Sequence, residues 1–456
     1  MKTDRLRLFF SGIGGSGVSA LAAFMADKGH IVSGSDRAFE MNPHHPACRT
    51  LINKGVRIVP QDGSGIVPGL DLVVFSTAVE PDRPEFIRTK ELGIPFRTRP
   101  EYLSEIVSEY RTIAVAGTSG KSTVSGMLAW LMSRLGMKPN FLGGGRVKQF
   151  RTESNPGNSI AGESALLVIE ACESDGSIVD YMPEHSLILN LELDHHSVDK
   201  TAAMFETLTD NTRKMIVINA DDRNLSLLSS AGMKDAVTFA LDMPAKYRPH
   251  DIVYRPLSTD FLLGGMRFTL ALPGRYNLYN ALACISILSE IGIAARDISG
   301  ELPNFEGIER RFDIHLDDGI HLVVDDYAHN PHKISALMQA AQPLRERICY
   351  IFQPHGFGPT RMMKDEYIEA FSKGLRDADH LVLLPIFYAG GTASKDISSY
   401  DLARGIKKNG RSVEAVNGRN EVIRGLEKWD NYIVMGARDE TLSAFTRSIA
   451  LLLGME

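Results

Sequence analysis

The stretch Arg111–Leu128, RTIAVAGTSGKSTVSGML, runs from an apolar segment through a glycine-rich turn into residues of helical character. Apolar residues recur at helical spacing over 127–135, so the pattern predicts a strand, a glycine turn and an amphipathic helix in that order. Gly120–Ser122 matches the end of the phosphate-loop pattern GxxxxGK[ST], although Val115 stands where that pattern begins with glycine. The stretch therefore predicts an α/β domain with a phosphate site at the turn.

The residues of this turn are those that a nucleoside triphosphate and its metal ion need. Backbone N–H groups of 117–121 can surround phosphate oxygens, Lys121 can neutralise charge on the β- and γ-phosphates, and Ser122 can bind magnesium. The alternative is a turn that only packs a helix against a strand. Because glycine, lysine and serine occur together here, the sequence favours ATP and Mg²⁺ as ligands.

Composition narrows the functional classes. The chain has 456 residues, of which 44% are hydrophobic and 23% charged, and its formal net charge is −6. That charge argues against a nucleic-acid partner, which needs a basic face. Four cysteines are scattered without a CxxC pair, which is typical of reduced thiols rather than of a disulfide framework or a zinc site. No apolar run reaches the roughly 18 residues of a membrane-spanning helix, so we expect a soluble cytoplasmic protein without a membrane partner.

Strand-like and helix-like segments alternate through three blocks of the chain. The first block contains RLRLFF, HIVSGSD and DLVVFST; the second contains ALLVIEA, HSLILNL and KMIVINA; the third contains HLVVDDYAH, ICYIFQPH, HLVLLPI and NYIVMGA. Such alternation predicts α/β domains, each with a mostly parallel sheet flanked by helices. We place three domains at 1–110, 111–309 and 310–456, the first and last Rossmann-like and the second a P-loop-type ATPase domain.

A second glycine pattern, Gly12-x-Gly14-x-x-Gly17, lies between a predicted strand and a predicted helix near the start of the chain. Glycines at these positions allow a tight turn and let the backbone approach a diphosphate at the helix N-terminus. Asp36 ends the next predicted strand, near the distance at which a carboxylate binds a ribose hydroxyl of NAD or FAD. The pattern predicts a diphosphate ligand without choosing among diphosphates, and a packing turn is the alternative.

Polar residues follow two further predicted strands of the second block. Glu170 ends LLVIE, and His195 follows LNLELD. Because the carboxyl ends of parallel strands meet at one edge of a sheet, a carboxylate and an imidazole there can bind the metal ions that accompany phosphates. Spacing does not choose between these two residues and their polar neighbours, and either could be an ordinary loop residue. The competing neighbours are Glu173, Asp175, Asp194 and His196.

Taken in order, these and later motifs resemble those of the Mur ligases, the ATP-dependent amide-forming enzymes of peptidoglycan assembly. The motifs are GTSGKST, EACESD, NLELDH, GRYNLYNALA, RRFD and DDYAHNP, and QPHGFGPTR is similar to a further motif of the family. The resemblance runs from GIGGSGVSALA almost to the C-terminus, and six motifs in the family's order make it specific. It implies a cytoplasmic enzyme of cell-wall synthesis that uses ATP and Mg²⁺, as a monomer or a homodimer.

The resemblance also implies roles for individual residues. Lys121, Glu170 and His195 would be catalytic, and Ser122, Glu170 and His195 would bind magnesium. ATP would be bound by Gly117, Thr118, Ser119, Gly120, Lys121, Ser122, Thr123, Asn277, Asn280, Arg311, Asp326 and His329. A UDP-sugar, rather than a nicotinamide cofactor, would be bound by Gly14, Gly15, Gly17, Asp36, Ser76 and Thr77. The incoming amino acid would be bound by Tyr327, His355 and Arg361.

The implied reaction joins an L-amino acid, alanine in the first place, to UDP-N-acetylmuramate. ATP would phosphorylate the muramoyl carboxylate, and the amine would then displace phosphate from the acyl phosphate to form an amide. Both the carboxylate and the triphosphate are anions. Lys121 and magnesium would offset their mutual repulsion.

Several residues depart from the family motifs. Gly356 and Pro359 stand where the members that add alanine carry arginines beside the incoming amino acid. Loss of two guanidinium groups would weaken binding of an α-carboxylate. The family turn QGAG appears here within MGARDE, Met435–Glu440. The other departures are Ser119, Cys172 and Tyr276, which replace a histidine, an aspartate and a histidine.

Three alternative functions remain open. A related Mur ligase could take a different amine or acceptor, as in the recycling of muropeptide tripeptides. The N-terminal glycines alone would also suit a dinucleotide-dependent oxidoreductase, although hydride transfer has no use for a triphosphate site. The third alternative is a nucleotide-binding regulator without catalytic activity.

Overall fold

The chain divides into two units, each built around parallel strands. The computed structural model describes residues 5–42, 45–194, 196–229, 231–388, 390 and 393–455. Unit 1 comprises Met1–Asp251, Phe261–Thr269 and Tyr279–Glu306, and unit 2 comprises Ile252–Asp260, Leu270–Leu278 and Gly307–Glu456. Within the described residues, no helix combines the length and the apolar character needed to cross a bilayer.

The first sheet of unit 1 has five parallel strands. They are β1 (Arg7–Ser11), β2 (Ile31–Ser35), β3 (Arg57–Val59), β4 (Leu72–Phe75) and β5 (Phe96–Thr98), in the sheet order β3-β2-β1-β4-β5. The helices of this segment are α1 (Ser16–Asp27), α2 (Arg37–Met41), α3 (Pro46–Asn53), α4 (Pro84–Glu91) and α5 (Arg99–Glu109). The strand order reverses at β1, and the glycine motif follows β1 directly. In open parallel sheets the ligand crevice lies at such a point.

The central sheet of unit 1 has seven strands, all parallel to their neighbours except for one antiparallel edge strand, β8. They are β6 (Arg111–Ala116), β7 (Asn140–Leu142), β8 (Ser159–Ile160), β9 (Leu166–Glu170), β10 (His185–Ile188), β11 (Met215–Asn219) and β12 (Val237–Phe239), in the order β12-β11-β10-β6-β9-β7-β8. The helices are α6 (Lys121–Arg134), α7 (Val198–Asp210), α8 (Arg275–Glu290), which starts in unit 2, and α9 (Ala295–Glu301).

A small sheet and a large sheet follow along the chain. The small sheet has the order β13-β14-β15, with β13 (His250–Tyr254), β14 (Thr259–Leu263) and β15 (Met266–Leu270). The large sheet of unit 2 contains β16 (Asp313–Asp317), β17 (Leu322–Asp326), β18 (Cys349–Gln353), β19 (His380–Leu383), β20 (Val413–Ala415) and β21 (Asn431–Gly436), in the order β16-β17-β21-β18-β19-β20. Its strands are parallel except for β16.

The helices of unit 2 that follow this order are α10 (Pro331–Ala341), α11 (Phe357–Met362), α12 (Lys364–Gly374), α13 (Ser399–Lys408), α14 (Arg419–Arg424) and α15 (Leu442–Leu453). Short 3₁₀ helices lie at Lys148–Phe150, Ser177–Asp180, Arg223–Leu227, Ala231–Asp235, Leu302–Asn304, Gln342–Leu344 and Leu426–Lys428.

The apolar cores follow the sheets. In unit 1 one cluster of buried side chains includes Leu8 of β1 and Ile169 of β9, so the first two sheets share a core. In unit 2 a buried cluster lies on each face of the sheet. Tyr350 and Phe352 belong to one cluster and Ile351 to the other, because successive side chains of a strand point to opposite faces.

The prediction of α/β architecture with mostly parallel sheets is confirmed, and each segment quoted above as a strand contains one. The change of unit at Glu306–Gly307 lies close to the predicted boundary at 309–310. The first two predicted domains fall in unit 1, so the three domain boundaries stay a prediction.

The prediction that α6 is amphipathic is wrong. Every residue from Lys121 to Met132 is buried. The helix packs on β6 and β9 on one side. On the other side, Cys284 lies 3.5 Å from the carbonyl oxygen of Val124, and the ring of Phe305 lies 5.5 Å from that of Trp130. The spacing of apolar residues in the sequence predicts the face of α6 that packs on the sheet, but it does not predict that the opposite face is buried as well.

Candidate active site

Three neighbouring strands of the central sheet bring the phosphate-loop residues together. β6 lies between β9 and β10, and the register places Val115 opposite Glu170 and Ala116 opposite Ile188. Glu170 ends β9, and Asn190 follows β10 by two residues. The loop after β6 therefore lies beside the carboxyl ends of both neighbouring strands.

This loop needs glycine at two positions. Gly117 and Gly120 have φ of +146° and +87°, which residues with a Cβ rarely adopt. A Cβ on Gly117 would lie 2.9 Å from Cβ of Leu189, and one on Gly120 would lie 2.6 Å from Oδ1 of Asn280. Gly120 directly precedes α6, so the free N–H groups and the positive dipole end of α6 lie at the loop. Such a helix N-terminus attracts anions.

The ammonium of Lys121 is buried beside a carboxylate. Its Nζ donates to Oε2 of Glu173 at 2.9 Å and also to the carbonyl oxygen of Gly117. The side chains of Lys121 and Glu173 are 10% and 1% exposed. Burial alone would lower the pKa of Lys121, but the nearby acidic groups Glu173, Cys172 and Glu170 together outweigh burial and raise that pKa. The ammonium is therefore charged at neutral pH and can attract phosphate oxygens.

A hydroxyl and a carboxylate lie together at the next residue. Oγ of Ser122 donates to Oε1 of Glu170 at 3.1 Å, and Oε2 of Glu170 accepts from the N–H of Gly144 at 2.9 Å. Among the described residues, no group of three or more His, Cys, Asp and Glu side chains could hold a metal ion alone. Mg²⁺ in nucleotide sites keeps several waters and uses one or two carboxylates together with the phosphates. The Ser122–Glu170 pair fits an ion shared with a nucleotide.

Asn190 joins the loop to the end of β10. Its Oδ1 accepts from the hydroxyl of Thr118 and from the N–H of Ser119, both at 2.8 Å, and its Nδ2 donates to the carbonyl oxygen of Ser119 at 3.0 Å. The hydroxyl oxygen of Thr118 accepts in turn from the N–H of Glu192 at 3.0 Å. These bonds fix residues 118–119. Asn190 has no role in the sequence prediction, although an amide that begins the motif NLELDH just after a strand is a signal for one.

The first glycine motif is held by Asp36. Oδ2 of Asp36 accepts from the N–H of Gly14 and Oδ1 from the N–H of Ala38, both at 2.8 Å. A Cβ on Gly14 would lie 2.8 Å from Cγ of Asp36, so this approach requires glycine. The carboxylate thus caps α2 and positions the loop, two uses that the ribose prediction did not include.

The segment after β4 lies against the same glycine motif. The N–H of Ser76 donates to the carbonyl oxygen of Ser11 at 2.9 Å, and a Cβ on Gly12 would lie 2.7 Å from Cβ of Ser76. Thr77 is exposed. The sugar-nucleotide residues predicted from sequence are therefore gathered at the carboxyl ends of β1, β2 and β4.

Arg99 is a cation at this edge that the sequence prediction did not include. A Cβ on Gly17 would lie 3.5 Å from Cδ of Arg99. The guanidinium forms an ion pair with Asp175, in the segment after β9. Arg99 thus links the glycine motif to the EACESD segment of the central sheet, and Asp175 is used in that pair rather than at the phosphate loop.

A buried carboxyl group lies beneath the glycine motif. Glu85 of α4 is fully buried, and the hydroxyls of Ser11 and Ser35, which end β1 and β2, donate to its two oxygens. Burial raises the pKa of Glu85, although the two serine hydrogen bonds oppose this effect. Glu85 therefore fastens together the ends of the two strands that lead into Gly12 and Asp36.

Unit 2 forms a second polar cluster, at the carboxyl ends of β17, β21 and β18. The register places Gln353 opposite Gly436, and β17 pairs with the other side of β21. Arg310 is buried here. Its Nε donates to Oδ1 of Asp325 at 3.3 Å, and its Nη2 donates to the carbonyl oxygen of Gly436 at 2.6 Å. Of the two arginines of RRFD, Arg310 and Arg311, the first therefore has a structural role.

Asp326 is bound by backbone groups of the same cluster. Its two oxygens accept from the N–H groups of Phe312 and Ala328, both at 2.7 Å. Burial raises the pKa of Asp326, and the guanidinium of Arg311 opposes this effect. The carboxylate joins the RRFD segment to the DDYAHNP segment.

Two guanidinium groups and three aromatic rings are in contact at the carboxyl ends of these strands. Arg310 and Arg311 lie 5.1 and 5.0 Å from the ring centre of Tyr327. The ring of His329 lies 5.6 Å from that of Tyr327 and 5.4 Å from that of His355. The structure thus brings together four residues that the resemblance assigns to ATP or the amino acid. They are Arg311, Tyr327, His329 and His355.

The QPHGFGPTR loop differs from the sequence prediction at Arg361. The guanidinium of Arg361 forms an ion pair with Asp396 and donates to the carbonyl oxygen of Ser394 at 2.9 Å. Gly356 has φ of +68°, and a Cβ there would lie 3.2 Å from Cδ of Pro359. Because an arginine at this position would need a different backbone, Gly356 and Pro359 belong to one loop conformation.

Three family models match successive parts of the chain. Residues 8–111 match the Mur ligase family, catalytic domain; residues 115–288 match the Mur ligase middle domain; residues 310–438 match the Mur ligase, glutamate ligase domain. The chain belongs to the Mur ligase family. As a Mur ligase it is an ATP-dependent enzyme that forms a C–N bond.

Relatives of this Mur ligase match over nearly their whole length. A UDP-N-acetylmuramate--L-alanine ligase from Lachnospira eligens is 34% identical, with 95% of this chain and 96% of the relative covered. One from Persephonella marina is 31% identical, with 95% and 94% covered. Among solved structures, the UDP-N-acetylmuramate-alanine ligase from Thermotoga maritima is 26% identical with a TM-score of 0.80 over 99% of both chains. A murein peptide ligase from Psychrobacter arcticus shares the fold at 23% identity, with a TM-score of 0.67 over 99% of this chain and 98% of that one.

The remaining residues assigned from sequence to the site of this Mur ligase do not all lie at the phosphate loop. Asn280 touches the phosphate loop at Gly120. Asn277 is buried in unit 2, where its Nδ2 donates to the carbonyl oxygen of Pro273 at 2.8 Å. Thr123 is buried within α6, and Gly15 immediately precedes α1. His195 lies outside the described residues.

Proposed function

We propose that this Mur ligase joins L-alanine to UDP-N-acetylmuramate, with conversion of ATP to ADP and phosphate, in the synthesis of peptidoglycan precursors. The observation that carries the proposal is the charged ammonium of Lys121 beside the Ser122–Glu170 pair, in one loop after β6. Support for the substrates comes from full-length relatives named for this activity. A reaction between ATP and a nucleotide sugar also favours a cytoplasmic location.

The proposed division of labour follows the domains placed from sequence. The domain at 1–110 binds the UDP-sugar, the domain at 111–309 binds ATP, and the domain at 310–456 binds the amino acid. We propose a monomer or homodimer, which light scattering of the purified chain can distinguish.

ATP binds at the loop after β6. N–H groups of the loop and of the first turn of α6 donate to phosphate oxygens, and the α6 dipole adds to this attraction. The ammonium of Lys121 has three N–H donors. Glu173 and the carbonyl oxygen of Gly117 accept two of them, which leaves one for a phosphate. Because Asn190 already fixes 118–119, little of the loop needs to become ordered when the nucleotide binds.

Ser122 and Glu170 would hold Mg²⁺, and His195 would hold a second ion. Their oxygen and nitrogen donors suit ions that accompany phosphates. When bound, Mg²⁺ supplies charge neutralisation and polarisation of the transferred phosphoryl group. The Ser122 hydroxyl and the Glu170 carboxylate already lie 3.1 Å apart, so the protein brings the two ligands together itself.

The UDP group binds along the glycine motif. The backbone of Gly14, Gly15 and Gly17 approaches the diphosphate at the start of α1, and Ser76 and Thr77 lie on the uridine side. Asp36 contributes through the N–H of Gly14, which it holds in place.

In the proposed reaction, a carboxylate oxygen of the muramoyl group attacks the γ-phosphorus, and the bond to the bridging oxygen breaks to release ADP. The amine of alanine then attacks the acyl carbon and loses a proton, and phosphate leaves with the electron pair of the acyl–oxygen bond. Lys121 and the positive end of α6 offset the repulsion between two anions in the first step. Water must be kept from the acyl phosphate, because water competes with the amine.

Unit 2 supplies the remaining roles. We propose Arg311, Asp326 and His329 for ATP, together with Asn277 and Asn280 of α8, and Tyr327 and His355 for the amino acid. Arg361 can bind the amino acid only after its guanidinium leaves Asp396.

The test measures phosphate release from ATP by the full chain with Mg²⁺, UDP-N-acetylmuramate and, in separate reactions, each of the twenty amino acids or a muropeptide tripeptide. We expect release with L-alanine, a product heavier than the UDP-sugar by alanine minus water, and loss of both in Lys121→Met. Release that requires a tripeptide would instead assign the chain to the recycling class of Mur ligases. Absence of release with every acid and amine would refute the proposal. Tight NADH binding without UDP-sugar binding would refute the role of the first domain.

A further inference from the structure

We infer that Arg438 binds the α-carboxylate of the incoming amino acid and so determines which amines the enzyme accepts. The inference rests on the proposed function and deepens it. Arg438 lies in the turn after β21, where the family's QGAG turn has glycine, so it is a feature of this chain rather than of the family motif.

Arg438 occupies a turn that is unfavourable for any residue with a Cβ. Its φ is +69°. The N–H of Asp439 donates to the carbonyl oxygen of Ala437 at 2.9 Å, which is the hydrogen bond of a γ-turn centred on Arg438. γ-turns with positive φ are rare and strained, and glycine adopts such a φ most readily. An arginine in this position indicates a use for its side chain, because strained backbone persists mainly at functional sites.

The turn around Arg438 is fixed by its neighbours. Nη2 of Arg310 holds the carbonyl oxygen of Gly436, and buried Asp439 forms an ion pair with Arg419. The backbone N–H of Arg438 donates to the hydroxyl oxygen of Tyr327 at 3.4 Å. Its side chain is exposed, and among the described residues its guanidinium forms no hydrogen bond or ion pair. A fixed backbone therefore presents a guanidinium that is available to a ligand.

The position of the turn matches that of the expected amino acid. β21 lies between β17 and β18, so Arg438 follows a strand whose two neighbours are followed by Tyr327, directly after β17, and by His355, two residues after β18. These are two of the residues that the resemblance assigns to the amino acid. The stretch 354–360, PHGFGPT, contains no lysine or arginine, and Arg361 is paired with Asp396. Arg438 is thus the exposed guanidinium at this edge that remains without an acidic partner within the described residues.

Carboxylates of the same edge are already used within the protein. Asp325 accepts from Arg310, Asp326 accepts from two backbone N–H groups, and Asp439 pairs with Arg419. Because Asp439 next to it is already paired with Arg419, the guanidinium of Arg438 keeps its positive charge for an anion. A guanidinium binds a carboxylate through two parallel N–H···O bonds, which fixes orientation as well as affinity. The α-carboxylate of an amino acid is the partner of matching shape.

The test compares steady-state kinetics of the full chain and its Arg438 variants with UDP-N-acetylmuramate, ATP and Mg²⁺. We expect Arg438→Ala to raise KM for L-alanine about 10- to 100-fold while KM for ATP and for the UDP-sugar stay unchanged. Arg438→Lys should fall between wild type and Arg438→Ala, because lysine keeps the charge without the paired geometry. L-Alaninamide lacks the carboxylate, so the preference for alanine over alaninamide should shrink in Arg438→Ala. Arg404→Ala, at an exposed arginine of α13, is the matched control.

Arg438→Gly separates ligand binding from structure. Glycine suits a φ of +69°, so we expect a higher Tm together with a raised KM for alanine, whereas a structural role would lower Tm. If wild type shows alanine-dependent activity and the variants keep its KM for alanine, or raise KM for ATP instead, this inference alone is overturned. If none of the amino acids supports phosphate release by the wild type, the proposed function is refuted, and the inference is refuted with it.

Discussion

Nζ of Lys121 lies 2.9 Å from Oε2 of Glu173, and both side chains are almost completely buried. In such a pair each charge depends on the other, because removal of one partner leaves the second charge unpaired in a medium of low dielectric constant. The pair fixes the ammonium at the start of α6. The Lys121 ammonium therefore contributes both to the stability of the phosphate loop and to the proposed binding of phosphate.

A double-mutant cycle measures this coupling. Lys121→Met and Glu173→Gln should each lower the free energy of unfolding by about 3 kcal/mol, and the double variant should lose clearly less than the sum. Only variants that carry Lys121→Met should lose ATP turnover, by about 100-fold or more. Urea unfolding and phosphate release supply the two readouts.

Lys138→Met is the matched control for this cycle. Lys138 pairs with Glu163 on the surface, where the two side chains are 62% and 78% exposed. Its replacement should change stability by no more than about 0.5 kcal/mol. Strictly additive losses at Lys121 and Glu173 would contradict a coupled pair.

Asn190 should control nucleotide affinity without touching the chemistry. Asn190→Ala removes the bonds that fix 118–119, so we expect KM for ATP to rise about 10-fold and the free energy of unfolding to fall by about 1–3 kcal/mol. Asn224→Ala removes a comparable amide, which donates to the carbonyl oxygen of Leu191, and should leave KM for ATP unchanged. An Asn190 variant with normal KM for ATP would show that the nucleotide orders the loop by itself.

Asp36 should act on the sugar nucleotide alone. Asp36→Ala frees the N–H groups of Gly14 and Ala38, so KM for UDP-N-acetylmuramate should rise about 10-fold and stability should fall by about 1 kcal/mol through loss of the α2 cap. Asp36→Asn keeps an acceptor for one of the two N–H groups and should show a smaller effect. KM for ATP serves as the internal reference, and a rise there as well would point to general damage.

The sheets and part of the candidate site could be predicted from the sequence alone. Strands such as LLVIE and NYIVMG are apolar on both faces, as parallel strands covered by helices require. Lys121 and Ser122 could be found from the glycine–lysine–serine pattern. Glu170 could be found because it ends a strand, and parallel strands bring their carboxyl ends together. Tyr327 and His355 were expected at the site from the family resemblance, and the structure places them just after β17 and β18 of unit 2.

The remaining features depend on contacts between residues far apart in the chain. Burial of α6 on its second side comes from Cys284 and Phe305, which local spacing does not report. The pairing of Arg361 with Asp396 joins α11 to the segment between β19 and α13. Asp36 looks like a sugar ligand in sequence, yet its oxygens accept from backbone N–H groups, whose directions appear only in the folded chain.

The buried carboxyl of Glu85 should make stability depend on pH. Its raised pKa means that the folded chain holds this proton more tightly than the unfolded chain. The stabilisation is complete below the ordinary value of 4.5 and is lost as pH rises through the folded pKa. Glu85→Gln cannot ionise, so its stability relative to wild type should increase as the pH rises above 4.5 and then level off. Urea unfolding between pH 4 and 8 measures this, and a difference independent of pH would contradict it.

Burial of α6 on all sides also affects how the enzyme loses activity on heating. A helix with no solvent-facing residue from Lys121 to Met132 exchanges its amide hydrogens only when the surrounding core opens as a whole. We therefore expect the phosphate loop, which leads into this helix, to be among the last parts of unit 1 to open, so on heating the capacity to cleave ATP should disappear together with cooperative melting, and not in an earlier local step.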